Sequence, residues 1–119
     1  LLNVKRIDHG VQCIKDKKLV AELIRRQIPL TVCPLSNIKL KVFKTLKDHN
    51  LKKMLDLNLM VTVNSDDPAY FGGYLNQNLI EIQEALYLSR SEIKKLIINS
   101  FKSSFLSEIQ KKNWINKIV

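Results

Sequence analysis

The stretch LMVTVNSDDP, residues 59–68, joins a run of apolar residues to a dense group of polar ones. Residues 59–63 are almost all apolar, which is typical of a strand that is buried on both faces of a parallel sheet. Four polar residues follow at 64–67, and Pro68 is well suited to the first position of a helix. A buried strand that ends in polar residues and leads into a helix predicts an α/β fold with parallel strands.

Two earlier segments repeat this arrangement. Residues 4–9 and 28–33 are predicted as strands, and each is followed by a helical pattern. Three such βα units do not close a (β/α)8 TIM barrel, which needs eight units and about 250 residues. The pattern is therefore consistent with residues 1–119 forming about the last three βα units of such a barrel, a portion of a single domain that is incomplete on its own. Leu1 at the start of the chain, in place of Met, adds to the expectation of a fragment.

The connecting segments carry several local signals. Asp16 is predicted to cap the first helix, and Ser89 with Glu92 three residues later predicts a capping box. Asn58 lies where a left-handed residue is expected after a helix. The segment 35–47 is basic, and we expect it to be mostly irregular. His49 is expected to be solvated at the start of a surface helix.

Polar residues collect where each predicted strand ends. In parallel α/β folds these carboxyl ends meet at one rim, where catalytic residues concentrate. Asp66 and Asp67 would repel each other there unless a cation lies between them, but both could instead cap the next turn. His9 could be a structural residue or a catalytic one, and Gly10 after it indicates close backbone approach, as near a ligand. Cys33 is expected to be a small buried hydrophobic residue.

Composition narrows the possible partners. The net charge of +9 and the pI near 9.7 are compatible with nucleic-acid binding, but the lysines are spread along the chain and no binding motif accompanies them. We therefore expect a solvated lysine surface and no nucleic-acid partner. No stretch approaches the roughly 20 apolar residues of a membrane span. Two cysteines make no disulfide framework, and a cytoplasmic location is expected.

Four strings of residues in fixed order carry a family resemblance: RIDHGVQC at 6–13, PLTVCPLSN at 29–37, VTVNSDDPAYFGG at 61–73 and NSFKSSFL at 99–106. Together they resemble the C-terminal part of the adenosine/adenine deaminase family. Asp8 directly before His9, and the segments LKVFKTLKDH and DDPAYFGGYL, are more similar to the adenine-specific branch.

The resemblance implies a zinc hydrolase that converts adenine to hypoxanthine and releases ammonia. Asp66 then matches the family's aspartate zinc ligand, and Asp67 matches the residue that hydrogen-bonds the N7 edge of the purine. His9 matches the catalytic histidine that orients the attacking hydroxide. Ser65 is a candidate to support the ligand. The His-x-Glu and Pro-Cys-x-x-Cys site of other zinc nucleobase deaminases is absent from the sequence.

The same resemblance implies that most of the zinc site lies outside this chain. The family's His-x-His pair, its third histidine ligand and its glutamate have no counterpart here, and one carboxylate does not hold zinc tightly. We expect the isolated chain to be inactive and to need the missing N-terminal barrel portion as its partner. Two alternatives remain: a fragment of an adenosine deaminase, or an inactive remnant of such an enzyme.

Overall fold

The computed structural model describes residues 3–118, which form a three-stranded parallel sheet with helices around it. The strands are β1 (Ile7–Asp8), β2 (Leu30–Val32) and β3 (Val61–Val63). They lie in the order β1-β2-β3. Ile7 is in register with Leu30, and Leu30 with Val61. All three predicted strands are confirmed, although each is shorter than predicted.

Seven α-helices and two 3-10 turns connect and follow these strands within the described residues. The helices are α1 (Lys17–Arg26), α2 (Pro34–Lys39), α3 (Leu51–Asp56), α4 (Pro68–Phe71), α5 (Leu75–Leu86), α6 (Arg90–Ser103) and α7 (Glu108–Asn116). The 3-10 turns are Val11–Lys15 and Leu46–Asp48. No helix in the described part of the chain is long and apolar enough to cross a membrane.

The core lies on both faces of the sheet. Leu30, Val32 and Val61 are fully buried, and Thr62 is buried among them. Strands that are covered on both faces by helices are expected to be this apolar, because no side chain of theirs meets water. On the outer edge of β3, the buried Asn99 of α6 donates its side-chain N–H to the carbonyl of Val61 at 2.9 Å.

Three residues that the sequence predicted near helix ends have the predicted role in the structure. Asp16 accepts hydrogen bonds from the backbone N–H groups of Lys18 and Leu19, so it caps α1 as predicted. Ser89 forms its capping box with Glu92. Asn58 has a φ of 61°, which is the left-handed conformation expected after α3.

The prediction of an irregular segment over residues 35–47 is wrong for its first part. Residues 34–39 form α2, and Pro34 stands in its first turn. Proline is accepted there because the N–H that it lacks would have no partner inside the helix. The same residue therefore ends β2 and begins a helix without a loop between them. Thr45 and Asp48 then form a capping box around the second 3-10 turn.

The prediction of a solvated His49 is also wrong. Its exposure is 4%, and its ring packs against Phe43 at a centroid distance of 4.4 Å. The 3-10 turn immediately before it, residues 46–48, directs the chain inward before α3 begins. The ring nitrogen Nδ1 accepts a hydrogen bond from the backbone N–H of Leu51, so His49 satisfies a free donor in the first turn of that helix.

Candidate functional site

The carboxyl ends of the three strands bring five polar side chains together. His9 follows β1, and Cys33, Ser36 and Asn37 lie at the junction of β2 with α2. Asp66 comes three residues after β3. This is the rim that sequence reasoning predicted, and the structure places His9 and Asp66 on it as neighbours, with 3.6 Å between Nε2 and Oδ2.

Asp66 is turned into the rim by its backbone. Its φ of 57° is left-handed, a conformation that aspartate tolerates better than most side chains. Its Oδ2 accepts a hydrogen bond from the Ser36 hydroxyl at 2.7 Å, and its Oδ1 accepts one from the backbone N–H of Asp67 at 3.0 Å. Each carboxylate oxygen keeps a further lone pair for another partner.

Asp67 makes a different contact. It caps α4, with its Oδ1 accepting a hydrogen bond from the backbone N–H of Tyr70 at 3.1 Å. The capping interpretation therefore holds for Asp67, whereas Asp66 turns toward His9 and Ser36. The two adjacent carboxylates therefore make different hydrogen bonds.

His9 is also held in a left-handed conformation, with a φ of 57°. Its backbone N–H donates to the carbonyl of Thr31 at 3.0 Å, so the ladder with β2 extends to this residue before the chain turns away. Gly10 follows with a φ of 71°, and a Cβ added there would lie 2.8 Å from Cδ2 of Leu30. The close approach at Gly10 is therefore to Leu30 in the core, where the sequence predicted a ligand.

Asn37 and His49 connect His9 to the interior. The Asn37 side-chain nitrogen lies 3.4 Å from Nδ1 of His9, and its oxygen lies 3.1 Å from Nε2 of His49. Burial lowers the pKa of His49 to about 4, so its ring is neutral at physiological pH. Sequence reasoning missed this connection, because it depends on the 3-10 turn that carries His49 inward.

Cys33 adds a third atom to the rim that could bind a metal ion. Its Sγ, a ring nitrogen of His9 and a carboxylate oxygen of Asp66 all lie within 4.8 Å of one another. Cys33 is buried as predicted. Burial raises the pKa of its thiol to about 12, and the nearby negative charge of Asp66 adds to this effect. A positive ion at this point would oppose that shift, because it would stabilise the thiolate.

The donor set fits a zinc ion chemically. Imidazole nitrogen, thiolate sulfur and carboxylate oxygen are the three kinds of ligand that zinc takes in proteins. A cavity of about 300 Å³ opens beside these atoms, lined by Arg6, Asp8, His9, Thr31, Cys33, Asn64 and Asp66. The aromatic residues that follow the aspartates are not part of it, since Tyr70 and Tyr74 are 70% and 77% exposed.

Ser36 is the residue that supports Asp66, in place of the predicted Ser65. The Ser65 hydroxyl lies 3.3 Å from the backbone carbonyl of Asp66 and does not reach its carboxylate. Ser36 lies 30 positions earlier, but α2 starts directly after β2 and so brings it to the neighbouring strand end. The string CPLSN contained the signal for this contact. Its proline favours the first position of a helix, which places Ser36 in the first turn of α2.

The family model described as adenosine deaminase matches residues 1–119. The chain belongs to the adenosine deaminase family. An adenine deaminase from Crocosphaera subtropica is 62% identical over 111 residues, a match that covers 93% of this chain and 34% of that relative. The chain thus spans about a third of the length of this curated family member, and the resemblance drawn from four short strings is confirmed.

Solved structures agree with this result. The crystal structure of an adenine deaminase from Arthrobacter aurescens is 46% identical with a TM-score of 0.96, covering 98% of this chain and 36% of that one. An amidohydrolase from Burkhoderia ambifaria, solved with bound zinc, has the same fold over 97% of this chain and 32% of its own, with a TM-score of 0.84 at 23% identity. The prediction of part of a deaminase barrel is confirmed.

Proposed function

We propose that this chain is the C-terminal portion of the single barrel domain of a zinc-dependent adenine deaminase, which converts adenine to hypoxanthine and ammonia. The observation that carries the proposal is the placement of Asp66, which Ser36 holds at 2.7 Å and which faces Nε2 of His9 at 3.6 Å. The identity of 46% with a solved adenine deaminase over nearly the whole chain favours adenine as the substrate.

Each rim residue has a role in this proposal. Asp66 holds the zinc ion, together with ligands from outside this chain. When bound, zinc supplies a nucleophilic hydroxide at neutral pH, because it lowers the pKa of water to about 7. His9 orients the attacking oxygen through its ring N–H, and Asp67 hydrogen-bonds the purine at its N7 edge. Both act where charge develops as the ring is attacked.

The proposed partner is an N-terminal barrel portion that packs beside β1. An apolar cavity of about 550 Å³ lies next to this strand, and Ile7, Val11, Leu23 and Leu40 are among its lining residues. Apolar surface of this kind gains stability when another element covers it. We further propose that the longer protein works in the cytoplasm, which the two free buried cysteines support.

A chimera tests the proposal. In it, this chain replaces the matching third of the Crocosphaera subtropica adenine deaminase, to which it is 62% identical. We expect the chimera to bind zinc and to release ammonia from adenine. Asp66→Ala should abolish both zinc retention and turnover. Asp56→Ala, which removes an exposed carboxylate of α3, should leave both unchanged.

Three outcomes would contradict the proposal. Turnover of adenosine but not adenine would overturn the substrate. Full zinc content in the Asp66→Ala chimera would overturn the ligand assignment. A folded, zinc-loaded chimera that turns over neither purine would favour an inactive remnant. The isolated chain, assayed in parallel with added zinc, is expected to be inactive, because Asp66 is the one family zinc ligand identified in its sequence.

A further inference from the structure

A chain of hydrogen bonds leads from the backbone of α3 to His9. It begins at the N–H of Leu51, which donates to Nδ1 of His49 at 3.1 Å. A backbone N–H can only donate, so Nδ1 of His49 is an acceptor and carries no proton. The ring of His49 is 4% exposed and neutral, and its single proton must therefore be on Nε2.

The proton on His49 fixes the orientation of Asn37. Nε2 of His49 donates to the side-chain oxygen of Asn37 at 3.1 Å. If the Asn37 amide were reversed, its NH2 group would face the N–H of His49, and two donors would meet. Asn37 is 2% exposed, so water does not offer it an alternative partner. Its nitrogen must therefore point toward His9.

The orientation of Asn37 in turn fixes the tautomer of His9. The amide nitrogen lies 3.4 Å from Nδ1 of His9, and because it can only donate, Nδ1 is the acceptor. When the His9 ring carries a single proton, that proton is then on Nε2, the nitrogen that lies 3.6 Å from Oδ2 of Asp66.

We propose that His49 and Asn37 are positioning residues for His9, which they hold in the tautomer that carries its proton on Nε2. In this tautomer Nε2 of His9 is available as a hydrogen-bond donor at the rim and does not ligate a metal ion. The inference rests on the proposed function for its catalytic meaning. It also decides between two roles for His9 in the group that it forms with Cys33 and Asp66. In the first, His9 is a third metal ligand. In the second, it is a hydrogen-bond donor beside the metal ion.

Asn37→Asp in the chimera tests the proposal directly. Aspartate has the same shape and can accept the hydrogen bond from His49, but it cannot donate to Nδ1 of His9. The proton of His9 should then move to Nδ1, where the new carboxylate accepts it. Long-range ¹H–¹⁵N correlation spectra of histidine-labelled protein at a pH of about 8, where imidazole is normally neutral, distinguish the two tautomers. The signals of His9 are assigned by their absence from a His9→Asn variant.

We expect Nε2 of His9 to be protonated in the unsubstituted chimera and Nδ1 to be protonated in Asn37→Asp. The kcat for adenine should fall by about 10- to 100-fold in this variant, as is common when a residue that orients an active-site ligand is lost, with KM little changed. Asn76→Asp, which adds the same charge at an exposed position of α5, should change neither the spectrum nor kcat.

Replacement of His49 provides a second, independent test. The side-chain N–H of glutamine can take the place of Nε2–H, so His49→Gln should retain the tautomer of His9 and most of kcat. His49→Leu cannot donate and should lose both. Thermal unfolding of the two variants separates this effect from a loss of stability, because both remove the hydrogen bond to Leu51.

The proposal is overturned if His9 carries its proton on Nδ1 in the unsubstituted chimera, or if Asn37→Asp leaves the tautomer unchanged. It is also overturned if His49→Gln and His49→Leu lose kcat in equal measure. The spectra are recorded without substrate. An unsubstituted chimera that does not turn over adenine therefore counts against the proposed function, while the spectra still decide the tautomer.

Discussion

The hydroxyl of Ser36 lies 2.7 Å from Oδ2 of Asp66 and joins the first turn of α2 to the end of β3. Ser36 is fully buried, so this hydrogen bond has little competition from water. It directs one oxygen of the proposed zinc ligand and leaves lone pairs on the carboxylate for an ion.

Removal of the Ser36 hydroxyl should weaken zinc binding. In the chimera, Ser36→Ala is expected to lower zinc affinity by about 10- to 100-fold, the usual effect of losing a partner that orients a ligand. Competition with a metal chelator measures the affinity. Ser100→Ala, which removes a hydroxyl bonded to the backbone of α6, is the matched control and should retain full affinity. Equal affinity in the two variants would contradict the role of Ser36.

Substitution of Asp67 can separate its capping role from its proposed contact with the purine. Asp67→Ser keeps a good helix cap and should change stability by only a few tenths of a kcal/mol, whereas Asp67→Ala should cost about 1 kcal/mol. Both should raise KM for adenine, because both lack the carboxyl group. Urea unfolding and steady-state kinetics give the two quantities. If Asp67→Ser retains a normal KM, capping is the whole role of Asp67.

Substitution of Gly10 is expected to lower the stability of the fold for two reasons, which can be measured separately. Gly10→Ala places a side chain in a left-handed conformation, at a cost of about 1–2 kcal/mol. It also forces a Cβ to within 2.8 Å of Leu30, and overpacking of this kind adds about 1–3 kcal/mol. Gly72→Ala is the matched control, since its φ is 85° but a Cβ there meets nothing within 4 Å. Chemical denaturation should show a larger loss for Gly10→Ala, and equal losses would exclude the clash.

Burial of His49 should make stability depend on pH. Its folded pKa is about 4 against an ordinary 6.5, so the unfolded chain binds more protons between these values. The stabilisation is fully present above about pH 6.5 and is lost as pH falls toward 4. Because one pH unit corresponds to about 1.4 kcal/mol, the loss amounts to about 3 kcal/mol.

Urea unfolding of the metal-free chimera at pH 7.5 and pH 4.5 measures this dependence. His49→Gln should have a shallower pH dependence than the unsubstituted chimera, because glutamine does not titrate. Lys15, Asp48 and Lys53 line the cavity beside His49 and are the same in both proteins, so the difference isolates the histidine. An identical pH dependence in the two proteins would contradict the burial of a neutral ring.

The sheet and the rim were predictable from sequence because local patterns determine them. Apolar runs marked the three strands, and Asp16 and Ser89 marked helix starts through hydrogen bonds that reach only two or three residues. His9 and Asp66 followed from the rule that parallel strands end at one edge. The place of both residues on that edge needed no knowledge of side-chain packing.

The remaining features depend on contacts between distant segments. The burial of His49 results from a 3-10 turn and from Asn37, twelve positions earlier, which no periodicity reveals. Asp66 and Asp67 make different hydrogen bonds, and the left-handed φ angle of Asp66 is not visible in the sequence. Only the family resemblance assigned separate roles to the two aspartates. The sequence shows that Ser36 is polar, but it does not show that the hydrogen-bond partner of Ser36 is Asp66, 30 positions later.

The left-handed backbones of His9 and Asp66 have a consequence for engineering. Glycine would adopt either conformation without a steric penalty, and at both positions it would delete a side chain that the rim uses. Glycine at position 66 would also leave the buried Ser36 hydroxyl without its acceptor, and glycine at position 9 would leave the Asn37 amide without its partner. Relief of the left-handed backbone is therefore not expected to make glycine stabilising at either position. Screens that seek a more robust deaminase should hold both codons fixed.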